Sequence, residues 1–112
     1  MTRTRFLAFA LLTVASSPAL AGASDFALVN GVGTALADVS IRRHGSEEWR
    51  NLPVAPANGA SSQVQFKDDD CAFDIRAKVD GKVATWSGIN LCETKSVKLN
   101  RNASGEVWVD YD

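Results

Sequence analysis

Residues 71–92 read CAFDIRAKVDGKVATWSGINLC, and the fold follows from how this stretch pairs with itself. Phe73, Ile75, Ala77 and Val79 alternate with Asp74, Arg76 and Lys78, the period of two that marks a strand with one buried face. Asp80-Gly81 follows at once. A two-residue hairpin loop of this kind needs residues that accept positive φ, and Asp-Gly is among the strongest such signals. That loop pairs Val79 with Lys82, Ala77 with Ala84 and Ile75 with Trp86, so Trp86 joins the Phe73/Ile75 face. Beyond Trp86 the apolar parity moves from even to odd positions, because Ile89 and Leu91 continue it. One extra residue at Ser87-Gly88, a β-bulge, restores the face. With that bulge Cys71 lies opposite Leu91, one residue short of Cys92. Either the backbone is irregular at the hairpin's open end or the register is off by one.

Outward from the hairpin the same period recurs, and no stretch holds a 3.6-residue period for three turns. Phe26 and Leu28 alternate before a turn signal at Asn30-Gly31-Val32-Gly33; Val39 with Ile41, Val64 with Phe66, and Val97 with Leu99 mark further strands. A turn at Asn102-Ala103-Ser104-Gly105 leads into Val107, Val109 and Tyr111. About seven short strands separated by turns predict an all-β fold, a small antiparallel β-sandwich that is immunoglobulin-like in outline. Residues 43–62 lack strand character, apart from a helical turn predicted at Ser46-Glu47-Glu48-Trp49 with Ser46 as its cap. A structureless segment this long is unusual in a small domain. It reads as an edge-covering loop anchored by Trp49 and Leu52, or as a binding loop.

The first 21 residues carry Arg3 and Arg5, then a short apolar run from Phe6 to Ala15, then small residues at Ala19 and Ala21. This is the pattern of a cleaved signal peptide, with Ala23 as an alternative cleavage point; about ten apolar residues are too few to span a membrane core of ~30 Å. The expected mature domain is residues 22–112, exported to the periplasm or secreted, and soluble. Without Arg3 and Arg5 it holds ten basic against thirteen acidic residues. That balance disfavours nucleic acid and anionic lipid as partners. In an oxidising compartment the two cysteines, Cys71 and Cys92, are expected to form a disulfide.

The chain is poor in catalytic sets. His44 is the sole histidine, so a Ser-His-Asp arrangement would have to use it. Asp68, Asp69 and Asp70 could offer oxygen ligands to calcium, yet they lack the glycine and terminal glutamate of an EF-hand loop. A solvated turn is the simpler reading, and no cofactor is expected. Trp86 belongs to the core by parity, whereas Trp49 and Trp108 are free to anchor an interface. With His44 and Arg50 they form the candidate interaction set.

Several of these residues also carry a resemblance. Phe26-x-Leu28-x-Asn30-x-x-Gly33, Trp49 with Leu52, Cys71-Ala72-Phe73-Asp74-Ile75-Arg76, Asp80-Gly81 and Ile89-Asn90-Leu91-Cys92 resemble a family of small exported proteobacterial β-rich proteins with no assigned activity. The likeness spans roughly residues 26–99. It departs at Arg50, where glycine is usual, and at His44-Gly45, in place of a Ser-Pro pair. It implies export, one short β-rich domain and the disulfide, and it supplies no catalytic residue. The expectation is therefore a non-catalytic binding protein of the cell envelope with a protein or small-ligand partner. Its rivals are an inhibitor of an exported hydrolase, of the lysozyme-inhibitor type, which would insert the 43–62 loop into a cleft, and a small periplasmic hydrolase.

Overall fold

In the computed structural model, which describes residues 22–112, the Asp80-Gly81 turn has φ of +53° and +78°, the pair of positive angles that a type I′ hairpin loop requires. It joins β5 (Ala72–Val79) to β6 (Lys82–Asn90). Val79 pairs with Lys82, Ala77 with Ala84 and Ile75 with Trp86, and the register slips by one residue before Phe73 meets Ile89. The extra residue lies at Ser87-Gly88, and Gly88 adopts φ +68°. A Cβ there would touch nothing within 4 Å, so the left-handed backbone alone sets the cost of a side chain. Gly88→Ala is therefore expected to lose about 1–2 kcal/mol, read as a lower urea midpoint with an unchanged slope.

Cys71 and Cys92 are bonded, with Cα atoms 5.0 Å apart. The hairpin register is the predicted one, since Leu91 N–H donates to the Cys71 carbonyl at 2.9 Å. The irregular backbone is an Asx turn in which Cys92 N–H donates to Asn90 Oδ1 at 2.9 Å, bringing the second sulfur back towards the first. The signal-peptide reading concerns residues 1–21 and lies outside the described residues.

The remaining strands are β1 (Phe26–Gly31), β2 (Ala37–Arg43), β3 (Arg50–Asn51), β4 (Ser61–Val64), β7 (Ser96–Arg101) and β8 (Val107–Tyr111). They form two four-stranded sheets, β4-β1-β7-β8 and β3-β2-β5-β6. Among the described residues the count is eight rather than seven because β3, two residues paired with β2, is too short to leave a period in the sequence. One pairing, β1 with β7, is parallel, which side-chain alternation alone cannot distinguish from an antiparallel one. Phe26, Leu28, Val97 and Leu99 of the first sheet and Ile41, Phe73, Ile75, Trp86 and Ile89 of the second are buried in one core between them. Trp86 Nε1–H donates across that core to the Asn100 carbonyl at 2.9 Å, so the core's largest side chain leaves no buried donor unmet.

Residues 43–62 hold no helical turn. Ser46 Oγ instead accepts from Glu48 N–H at 3.0 Å, a local bond that competes with helix formation. The segment is tied along its length. Leu52 N–H donates to the Val39 carbonyl, and Leu52 and Val54 pack against the core. Buried Asn30 donates from Nδ2 to the Pro56 carbonyl at 2.9 Å and exchanges backbone bonds with Gly59 and Ala60. Asn30, expected as a turn residue, is the anchor of the segment that follows β3.

Candidate functional site

The outer face of sheet β3-β2-β5-β6 is where polar side chains converge. The parity that sends Ile41, Phe73 and Ile75 inward sends Arg42, Asp74 and Arg76 outward, and Arg42 stands directly opposite Asp74. Asp74 is nevertheless fully buried. Its Oδ2 accepts from Arg42 Nε at 2.9 Å, and its Oδ1 contacts His44 Nδ1 at 2.8 Å and accepts Gly88 N–H at 2.9 Å. The bulge and the carboxylate belong together: the turned peptide at Gly88 supplies one of the donors. Burial pushes the Asp74 carboxyl up, but the bonds from His44, Gly88 and Arg42 together outweigh it and hold it below the ordinary carboxylate value.

Trp49 lies half-buried over this face. The Arg42 guanidinium carbon is 4.5 Å from its ring centroid and that of Arg76 is 4.1 Å, both within cation–π range. Asp74 thus fixes Arg42, and Arg42 and Arg76 fix the indole. Arg76 makes no carboxylate contact among the described residues; it rests on the ring and remains partly exposed to water. The His44 side chain is more than half exposed and stands at the edge of the cluster.

A second charged group adjoins the first. Arg43 and Arg50 both reach Asp68, at 2.9 and 3.7 Å, and Asp70 N–H donates to Asp68 Oδ1 at 2.9 Å. Burial raises the Asp68 carboxyl, but these donors and charges bring it below the usual range. Arg43, Ser46, Glu48, Arg50 and Asp68 line an open cleft of about 420 Å³. Arg50 also stacks over Phe66 at 5.4 Å. Asp69 is exposed and Asp70 lies 3.5 Å from Arg43 Nε. The guanidinium groups occupy the Asp68 oxygens that calcium would need, and among the described residues no three acidic, histidine or cysteine side chains are grouped to hold a metal.

Of the residues singled out in the sequence, the structure ties His44 and Trp49 to the Asp74–Arg42 pair, sets Arg50 in the adjoining group with Asp68 and Phe66, and leaves Trp108 on the other sheet. Asp74 and Arg76, which the sequence places on the outward face of the hairpin strand, lie outside the candidate set and are the ones that were missed. The signal was present: the hairpin register sets Asp74 beside the predicted bulge, where unpaired backbone donors collect. His44 with Asp74 makes two members of a nucleophile-activating relay, yet no hydroxyl or thiol is bonded to His44 among the described residues. The 43–62 segment is tied to the sheets by β3, Leu52 and Asn30.

No protein-family model matches the chain, and no curated protein does. It is similar in fold to a protein from Eubacterium rectale solved by NMR, with 14% sequence identity over 80% of this chain and 87% of that one, and a TM-score of 0.51. At that identity the likeness concerns the fold alone.

Proposed function

We propose that the protein is exported, remains soluble in the cell envelope and acts as a non-catalytic binding module whose contact surface is the Trp49 face of sheet β3-β2-β5-β6. The observation that carries this reading is the stacking of Trp49 on Arg42 and Arg76. Tryptophan and arginine are the side chains that most often dominate binding surfaces, and here both are held in place before any partner arrives, which lowers the ordering cost of binding. Arg76, with no carboxylate of its own among the described residues, favours an acidic partner. The Cys71–Cys92 bond is compatible with an oxidising, exported location.

Isothermal titration of the purified chain with a short acidic peptide and a neutral control tests the reading. Binding of the acidic peptide alone is expected, weakened about tenfold by Arg76→Ala and further by added salt. Equal binding of both peptides, or none, contradicts it. The pairing of His44 with Asp74 favours a small hydrolase as the second reading. An ester or peptide hydrolysis lost in His44→Ala would support that reading and displace the first.

A further inference from the structure

The edge of the other sheet carries a separate feature. Of the three large apolar side chains exposed among the described residues, two, Trp108 and Tyr111, lie on β8, which has five residues. In the β7–β8 ladder Asn102 N–H donates to the Glu106 carbonyl and Asp112 N–H to that of Ser96. Asn100–Trp108 and Lys98–Asp110 fall in the same register. Hydrogen-bonded pairs alternate along an antiparallel ladder, so Trp108 and Asp110 turn their backbone groups towards β7. Val107, Val109 and Tyr111 turn theirs away from the sheet.

The other three edges are poor templates. β3 has two residues and β4 has four, three of them polar. β6 is bent by the bulge at Gly88, and its Asn90 N–H is already taken by the Tyr111 hydroxyl at 3.0 Å. β8 has no proline, bulge or lysine, the devices that usually protect an edge. Beside it a groove of about 240 Å³ is lined by Trp86, Ser87, Val107, Trp108, Val109 and Tyr111.

The geometry points to a second copy of this chain as the occupant, added antiparallel along β8 about a two-fold axis through Val109. Such an isologous contact must be self-complementary, and this one is. Val109 meets Val109 of the second copy, Val107 meets Tyr111, and Trp108 meets Asp110. Within the strand no two like charges stand directly opposite; one residue beyond it Glu106 meets Asp112 at each end, a like-charge pairing that weakens the contact and is relieved by salt. Asp110 is further engaged by Asn100 Nδ2–H at 2.9 Å. The three outward backbone groups of each copy satisfy those of the other, and the two sheets become one continuous sheet. A contact of one short strand is far below the ~1,600 Å² of a standard interface, so the dimer is weak and dependent on concentration. This inference does not rest on the Trp49 face.

Sedimentation velocity over a concentration series, with amide exchange by NMR on the same samples, tests it. The expected result is a monomer–dimer equilibrium in which the Val107, Val109 and Tyr111 amides exchange about tenfold more slowly once about nine-tenths of the chains are paired. The Trp108 and Asp110 amides, bonded to β7 in the monomer, stay protected throughout. Val109→Pro removes an outward N–H, at a position where an edge strand tolerates proline, and reshapes a side chain that packs on the core; it is expected to abolish dimerisation while the near-ultraviolet signal of buried Trp86 persists. Should that variant unfold, Trp108→Asp, at an exposed side chain, sets a carboxylate opposite Asp110 of the second copy and serves the same purpose. A chain that stays monomeric at every concentration overturns the inference, and so does a dimer without the alternating protection. A monomeric chain whose β8 takes up an unrelated extended peptide overturns it too.

Discussion

Replacing Cys71 and Cys92 together by alanine is expected to cost about 3 kcal/mol of stability. The bond closes a loop across the hairpin, joining residues separated by 21 positions, and its main effect is to restrict the unfolded chain. For a domain of this size that loss corresponds to roughly 12–24 °C in melting temperature. It is a large share of the ~5–15 kcal/mol that separates most native domains from the unfolded state. The hairpin has its own type I′ turn and a buried face, so the reduced chain is expected to retain its strands at low temperature. The check is a pair of thermal melts, of the double variant and of the intact chain. Equal melting temperatures would mean that the β5–β6 hairpin fixes the ends of this loop without the covalent link.

The second large effect belongs to Asp74. Asp74→Ala takes the acceptor from Gly88 N–H, from the Arg42 guanidinium and from His44 in one step. Breaking a fully buried ion pair costs about 3–5 kcal/mol. Arg42 and His44 are partly exposed and regain water, which places the loss nearer 3 kcal/mol. The wild type should also carry an acid signature that the variant lacks. The folded carboxyl titrates below its ordinary value near 3.8, so the native state binds the proton less readily than the unfolded chain does. That contribution is fully present above the ordinary value and is lost as the pH falls through the lower, folded one. Urea midpoints of the two proteins should differ most at neutral pH and converge in strong acid. A constant difference across that range would contradict the ionised, donor-held carboxylate.

The fold was legible in the sequence where one periodicity had a single solution. The Asp80-Gly81 loop fixed the register, the parity break located the bulge, and the two together put Cys71 opposite Leu91. What the pattern could not carry were pairings without alternation: the two-residue β3, and the parallel contact of β1 with β7, which obeys the same alternation as an antiparallel one. The site was legible in part. His44, Trp49 and Arg50 stood out as unusual residues in an unpatterned segment. Asp74 and Arg76 sat within regular alternation, where an outward charge reads as solvated. The Asp74 partners Arg42 and His44 and the Arg76 partner Trp49 all come from more than 25 residues away in sequence, contacts that no local pattern encodes.

The central claim is that the Trp49 face, ordered from beneath by Asp74, is the contact surface. A map of amide and indole shifts on adding the acidic peptide tests this most directly. The account predicts changes concentrated at Arg42, Trp49 and Arg76, with the outer face of the β4-β1-β7-β8 sheet unmoved. Shifts centred on Trp108 and β8, with the Trp49 indole unaffected, would contradict it.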